Sequence, residues 1–254
     1  MRARSASVVA TKWIAALSLA SCASLALAAC SDATTNDGHG SVDGGSASGA
    51  DSGGPTPPLS QPQHGVATFY AADGTGACSF DASPSDLDVA AMNAPEFAGS
   101  AVCGECVRVA GPKGEVTVRI VDLCPECVAG QLDLSQGAFA KIADVSAGRV
   151  PITWTVVACN VAGAVAYRFK EGSSQYWTAI QVRNHRLPIA KLEWKKNGAY
   201  AAIPRESYDY FVVSGGVGTG AITLRVTASD GQTLEDTLPS VQAGVVVPGA
   251  SQFH

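Results

Sequence analysis

Short alternating runs dominate the chain from residue 64 onward. Val116-Thr117-Val118-Arg119-Ile120-Val121 sets β-branched residues at strand spacing, and Pro151 to Val157 does likewise. Val165 to Phe169, Trp177 to Val182, Ile189 to Trp194 and Ala221 to Ala228 read as further short strands with regular turns between them, the pattern of a β-sandwich. One segment departs from the period of two. Ser135 to Ala143 reads as a helix, with Ser135 as its N-cap and Ala138, Phe139 and Ile142 on one face.

The first 63 residues carry no such pattern. Arg2, Arg4 and Lys12 form a basic start, and Trp13 to Ala29 is a short run of apolar and small residues. That reads as an export signal rather than a membrane span. Leu27-Ala28-Ala29-Cys30 looks like a bacterial lipobox, in which Cys30 is acylated and becomes the mature N-terminus. Ordinary cleavage after the Ala-rich stretch, with Cys30 incidental, is the alternative. Ser31 to Gln63 is Gly, Ser, Asp, Ala, Thr and Pro with almost no large apolar residue, so it reads as a flexible tether stiffened by Pro55-Thr56-Pro57-Pro58.

Composition sharpens the class. With 27 Gly, 13 Pro and only 15% charged residues, a turn-rich all-β protein is expected. Three of the 17 basic residues lie in the signal, leaving 14 against 22 acidic ones in the mature chain. No basic stripe is left to neutralise phosphates, so nucleic acid is excluded as a partner. Residues 64–160 hold 5 basic and 11 acidic residues, whereas residues 161–254 hold 9 and 7. Two domains are therefore expected, 64–160 and 161–254, joined near Asn160-Val161-Ala162-Gly163.

The cysteines divide the chain at the same place. Cys78, Cys103, Cys106, Cys124, Cys127 and Cys159 all precede residue 160, and none follows. The two Cys-x-x-Cys pairs, Cys103/Cys106 and Cys124/Cys127, have the spacing of a zinc ribbon. Export favours oxidation over metal, and six is an even number, so three disulfides are expected and no metal. Spacing alone leaves fifteen connectivities open.

Seven runs together resemble the two-domain bacterial expansins. They are His64-Gly65-x-Ala67-Thr68, Pro84-Ser85-Asp86, Gly111-Pro112-Lys113-Gly114, Asp122-Leu123-x-Pro125-Glu126, Leu132-Asp133-Leu134-Ser135, Lys170-Glu171-Gly172-Ser173-Ser174 and Ile180-Gln181-Val182-Arg183-Asn184-His185. The resemblance implies a six-stranded double-psi β-barrel followed by an immunoglobulin-like carbohydrate-binding β-sandwich. It also implies loosening of cellulose-containing walls without hydrolysis. By analogy with related barrels, it implies the pairing Cys78–Cys103, Cys106–Cys159 and Cys124–Cys127.

The resemblance places Thr68, Tyr70, Asp122 and Asp133 along one groove of the barrel. Leu132 and Leu134 should point inward and Asp133 outward. A carboxyl beside apolar walls can hold a proton. Capping of the helix that starts near Ser135 is the structural alternative for Asp133, and turn formation is that for Asp122. Hydrolysis with inversion needs an acid and a base. Thr68-Phe69-Tyr70-Ala71-Ala72 resembles a stretch of related endoglucanases that carries the base Asp at its fifth position, filled here by Ala72. Asp73 is one residue off and, on a strand, would face the other side. Bacterial expansins often have Tyr where this chain has Cys124, so a disulfide at Cys124 would remove an aromatic from the groove.

In the second domain Tyr176, Trp177 and Tyr208 match the family's binding platform, with Lys170 beside it. Flat rings stack on the C–H faces of β-glucans. Tyr176 and Trp177 are neighbours, so a bulge or a strand end must bring both to one face. Trp154 and Trp194 sit in alternating apolar runs and read as structural.

The expected protein is an exported monomer that binds cellulose or a related β-glucan, needs no cofactor, and meets a membrane only through Cys30. A weak glucanase, a peptidoglycan lytic transglycosylase and an adhesin with an inert barrel are the rival readings.

Overall fold

The computed structural model describes residues 57–254. The signal segment, Cys30 and the tether as far as residue 56 lie outside the described residues.

Six strands close into a barrel: β1 (Gln63–Tyr70), β2 (Val89–Asn93), β3 (Cys106–Gly111), β4 (Gly114–Cys124), β5 (Leu132–Ser135) and β6 (Val150–Val157), in the order β1-β5-β2-β4-β3-β6. The β1–β5 and β2–β4 pairs are parallel and the other four antiparallel. The interior is filled by alternate residues such as Ala67, Met92, Val109, Ile120, Leu132 and Leu134, all fully or almost fully buried. Two short helices close the ends. In α1 (Ala94–Phe97), Asn93 accepts from Glu96 N–H at 3.1 Å. In α2 (Gln136–Ile142), Ser135 Oγ accepts from Ala138 N–H at 3.1 Å, and Ala138, Phe139 and Ile142 are buried, as the sequence predicts.

Two differences from expectation concern the barrel's edges. Pro58 to Ser60, expected as tether, lie along β6, where Leu59 N–H donates to Val156 O at 2.7 Å and Val156 N–H to Ser60 Oγ at 3.0 Å. Asp73 does not continue β1, which ends at Tyr70. The strand-alternation argument for Asp73 therefore does not apply to it.

The remaining chain forms two four-stranded antiparallel sheets. One is ordered β10-β9-β12-β13, from β9 (Ile189–Lys196), β10 (Ala199–Ile203), β12 (Ile222–Ala228) and β13 (Thr233–Leu238). The other is ordered β11-β8-β7-β14, from β7 (Ala166–Phe169), β8 (Thr178–Arg183), β11 (Phe211–Val213) and β14 (Val246–Pro248). Tyr167, Phe169, Ile180, Leu192, Leu224 and Val226 meet between them. Trp154 is buried in the barrel core, and half-buried Trp194 packs against the sandwich core.

Three disulfides join Cys78 to Cys103, Cys106 to Cys159 and Cys124 to Cys127. This is the pairing that the resemblance implies. The four cysteines of the Cys-x-x-Cys pairs are spread over all three bridges, so they do not converge on a common zinc.

Candidate functional site

The parallel pairing of β1 with β5 sets Thr68 opposite Asp133. The antiparallel pairing of β5 with β2 sets Asp133 opposite Ala91, and that of β2 with β4 sets Ala91 opposite Asp122. Directly paired residues share a face. Thr68, Asp133, Ala91 and Asp122 therefore form one row across four strands, on the outside of the barrel. A register shift between Ala90 and Ala91 is what brings Asp122 into that row. Without it, Ala91 would face Val121 and Asp122 would turn away.

Each polar member is fixed. Thr68 Oγ1 donates to Asp133 Oδ1 at 2.6 Å, and Gln131 Nε2 reaches the same hydroxyl at 3.4 Å. Leu132 and Leu134 point inward and are fully buried, while Asp133 is half-buried on the face. Partial burial raises its pKa above the ordinary carboxylate value; Glu126 and Asp122 add to this, and the Thr68 hydrogen bond opposes it. Asp133 is not the helix cap, because Ser135 fills that place. Asp122 Oδ1 accepts from Ala77 N–H at 2.7 Å and Leu123 N–H at 2.8 Å. The close approach of Ala77 needs Gly76, where a Cβ would come within 2.4 Å of the Asp122 carboxyl carbon.

Tyr70 lies two residues beyond Thr68, on the same face. It packs against Ala91, Cys124 and Cys127. The Tyr70 ring thus lies against the Cys124–Cys127 disulfide. The Tyr70 hydroxyl is buried and has no hydrogen-bond partner among the described residues. Burial raises its pKa above the ordinary phenol value, and Asp122, Asp133 and Asp73 reinforce this. Asp73 itself is exposed and tied down by Thr75, whose N–H and Oγ1 donate to its Oδ1 at 2.9 and 2.6 Å.

Tyr176 and Trp177 sit in a tight turn just before β8. Ser174 N–H donates to Trp177 O at 2.6 Å, and Thr178 Oγ1 donates back to Ser174 O at 2.9 Å. The turn, rather than a bulge, frees the two rings from strand alternation. Tyr176 is 74% exposed and Trp177 is half-buried. Gly216 supports the turn from below; it has φ +69°, and a Cβ there would fall 2.0 Å from Gln175 O. Tyr208 is half-buried, its ring 5.9 Å from that of Tyr210, and Lys170 Nζ stands 5.7 Å from Tyr208 and 5.1 Å from Tyr210.

Sequence reasoning missed Gln131, Tyr210 and Glu105. Glu105 is 6% exposed and lies inside a Cys-x-x-Cys pair; burial, then Glu96, pushes its pKa up to about 8. A cleft of about 420 Å³, lined among others by Arg119, Asn160 and His185, includes none of the row or ring residues. In the row Thr68, Asp133 and Asp122 are half-buried and Ala91 is buried, and among the rings only Tyr176 is largely exposed.

A family model described as lytic transglycolase matches residues 63–154. The chain is 41% identical over 187 residues to the expansin YoaJ of Bacillus subtilis, covering 70% of this chain and 80% of that protein. The structure is similar to the crystal structure of the Clavibacter michiganensis expansin, with TM-score 0.70, 34% identity, and coverage of 76% of this chain and 98% of that one. An Asp-to-Asn mutant of the Clavibacter protein, solved in complex with cellohexaose, matches with the same values. With 41% identity over 80% of the Bacillus protein, this chain belongs to the expansins.

Proposed function

We propose that the protein binds cellulose-type glucan and loosens cellulose-containing walls without hydrolysing them. The observation that carries this reading is the row Thr68–Asp133–Ala91–Asp122, which lines up three half-buried, oriented polar side chains on one barrel face. The cellohexaose complex of the Clavibacter relative supports the substrate class.

In this reading Tyr176, Trp177 and Tyr208 stack on one glucan chain, and Lys170 donates to its hydroxyls. The barrel row engages the same chain or its neighbour. Asp133 holds a proton more readily than an ordinary carboxylate and, keeping it, donates a hydrogen bond to a sugar oxygen, with Thr68 fixing its orientation. Asp122 presents Oδ2 as an acceptor, because its backbone partners hold Oδ1. Tyr70 backs the row, its ring against Ala91, Cys124 and Cys127. The sugar contacts compete with those between glucan chains, and separating chains breaks no covalent bond. A base for hydrolysis is missing at Ala72, and the Thr75 hydrogen bonds to Asp73 Oδ1 lower the pKa of Asp73, which weakens it as a base.

Export through the N-terminal signal and anchoring through Cys30 fit this role, since the tether lets the two domains reach outward. Cys30→Ser should move the protein from the membrane to the soluble exported fraction; unchanged membrane association would remove the anchor from the account.

The family model's description favours a second reading for the barrel, cleavage of peptidoglycan. Pull-downs of the mature protein on cellulose, xylan, pectin and peptidoglycan, with reducing-sugar release measured alongside, separate the two. The first reading predicts retention on cellulose and no release from any polymer. Retention on peptidoglycan alone, with release, supports the second.

A further inference from the structure

The loop that carries Tyr208 runs from the end of β10 to the start of β11 and is fastened to the barrel at two points. At one, Arg205 Nη1 donates to Ser100 O at 3.1 Å, and Ser100 Oγ donates to Glu206 O at 2.7 Å. At the other, Gln181 of β8 acts as a bridge. Its Nε2 donates to Cys78 O at 2.7 Å and to Asp209 Oδ2 at 3.1 Å, and its Oε1 accepts from Arg183 Nε at 2.6 Å. Arg183 Nη1 in turn meets Asp81 Oδ2 of the barrel at 2.6 Å.

The two barrel points belong to one unit. Cys78 is bonded to Cys103, and Cys103 N–H donates to Ser100 O at 3.1 Å. Gln181 and Ser100 are fully buried, and Asp209 is 5% exposed. Ser100 and Asp209 also hold left-handed backbones, with φ +79° and +63°. A non-glycine residue in that region and a buried carboxyl are each unfavourable on their own, and persist where the surroundings fix them. Both occur where the Tyr208 loop meets the barrel.

We propose that the Cys78–Cys103 edge of the barrel, acting through Ser100, Gln181 and Asp209, is the mount that holds Tyr208 in register with the Thr68–Asp133–Asp122 row. Ser100 and Asp209 are then positioning residues. A polymer that spans two sites gains from both only if their spacing is fixed. Loosening the mount leaves each surface able to meet glucan but no longer in step. The proposal rests on the reading that rings and row act on glucan together.

The test uses the mature protein with Asp209→Ala, Ser100→Ala and Asp209→Asn. Three quantities are measured: cellulose binding, extension of isolated walls under load, and amide hydrogen exchange. Asp209→Ala and Ser100→Ala should bind cellulose nearly as wild type yet lose about tenfold in extension. Exchange in residues 204–210 should quicken while β12 stays protected. Asp209→Asn keeps an amide oxygen to accept from Gln181 and should behave as wild type in all three. If Asp209→Ala does not fold, Ser100→Ala, which removes one hydroxyl, carries the same expectation. Exchange in the loop unchanged by either variant would overturn the mount, as would extension that falls only in proportion to binding. A wild type that extends no wall contradicts the function reading, while the exchange measurement still decides the mount.

Discussion

Thr68 Oγ1 donates to Asp133 Oδ1 at 2.6 Å across the parallel β1–β5 pair, joining residues 65 positions apart in sequence. The bond orients the carboxyl and favours its charged form, against the burial that favours its protonated form. Removing the hydroxyl should therefore raise the Asp133 pKa. In Thr68→Val, the Asp133 carboxyl followed by carbon NMR should titrate at higher pH than in wild type. A midpoint that stays put or falls would mean that the bond does not set the proton on Asp133.

Tyr70→Phe separates stability from function. A buried hydroxyl without a partner costs about 1–3 kcal/mol, and the Tyr70 hydroxyl is in that state. The variant should melt at the same temperature or higher, and weaken walls as wild type does, because the ring stays and the hydroxyl is out of reach of the polymer. A lower melting temperature would indicate that the hydroxyl already has a partner in the free protein.

Ring stacking and charge make opposite predictions for binding. Residues 31–254 hold 14 basic against 22 acidic residues, so long-range attraction to acidic pectin is weak. Charge effects also shorten as the Debye length falls to about 8 Å at physiological salt. Cellulose binding should be nearly salt-independent and lost in the Trp177→Ala, Tyr208→Ala double variant. Collapse of binding at high salt, with little effect from removing the rings, would favour charge.

Three buried groups make stability depend on pH. Burial pushes Glu105 up to about 8 and Asp209 up to about 7, so both bind protons more tightly folded than unfolded. Their stabilising effect is full below the ordinary carboxylate value of about 4 and is lost as pH rises through 7 to 8. Burial pushes His185 down to about 4, and its contribution is lost as pH falls from about 6.5 toward that value. The thermal midpoint should fall from about pH 5 to about pH 8, most steeply above about pH 6.5, where His185 no longer offsets the two carboxyls, and Glu105→Gln should flatten the decline. A midpoint that rises from pH 6 to 8.5 would contradict the assignment.

Much of this was legible in residue order. The Ser135 cap and the apolar face of α2 announce the helix, and β4, β6, β8, β9 and β12 follow their alternating runs to within a few residues. Strands β13 and β14 were not legible: Thr233–Leu238 is largely polar, and Val246–Pro248 is a three-residue edge ending in proline. The resemblance named Thr68, Asp122 and Asp133, but their alignment depends on the shift at Ala90/Ala91, which leaves no mark on the local pattern. Gln181 sits within a quoted run, yet its bridge to Cys78 joins residues 103 positions apart. Such contacts arise from tertiary docking, which periodicity does not encode.

The central claim is that Asp133 acts on glucan contacts and not on glycosidic bonds. The most direct measurement clamps isolated cellulose-containing wall under constant load, adds pure mature protein, and follows extension and reducing ends in the same sample. The account predicts extension by wild type without release of reducing ends, and loss of extension in Asp133→Asn. Reducing ends that accumulate in step with extension, and vanish in Asp133→Asn or Asp73→Asn, would contradict it.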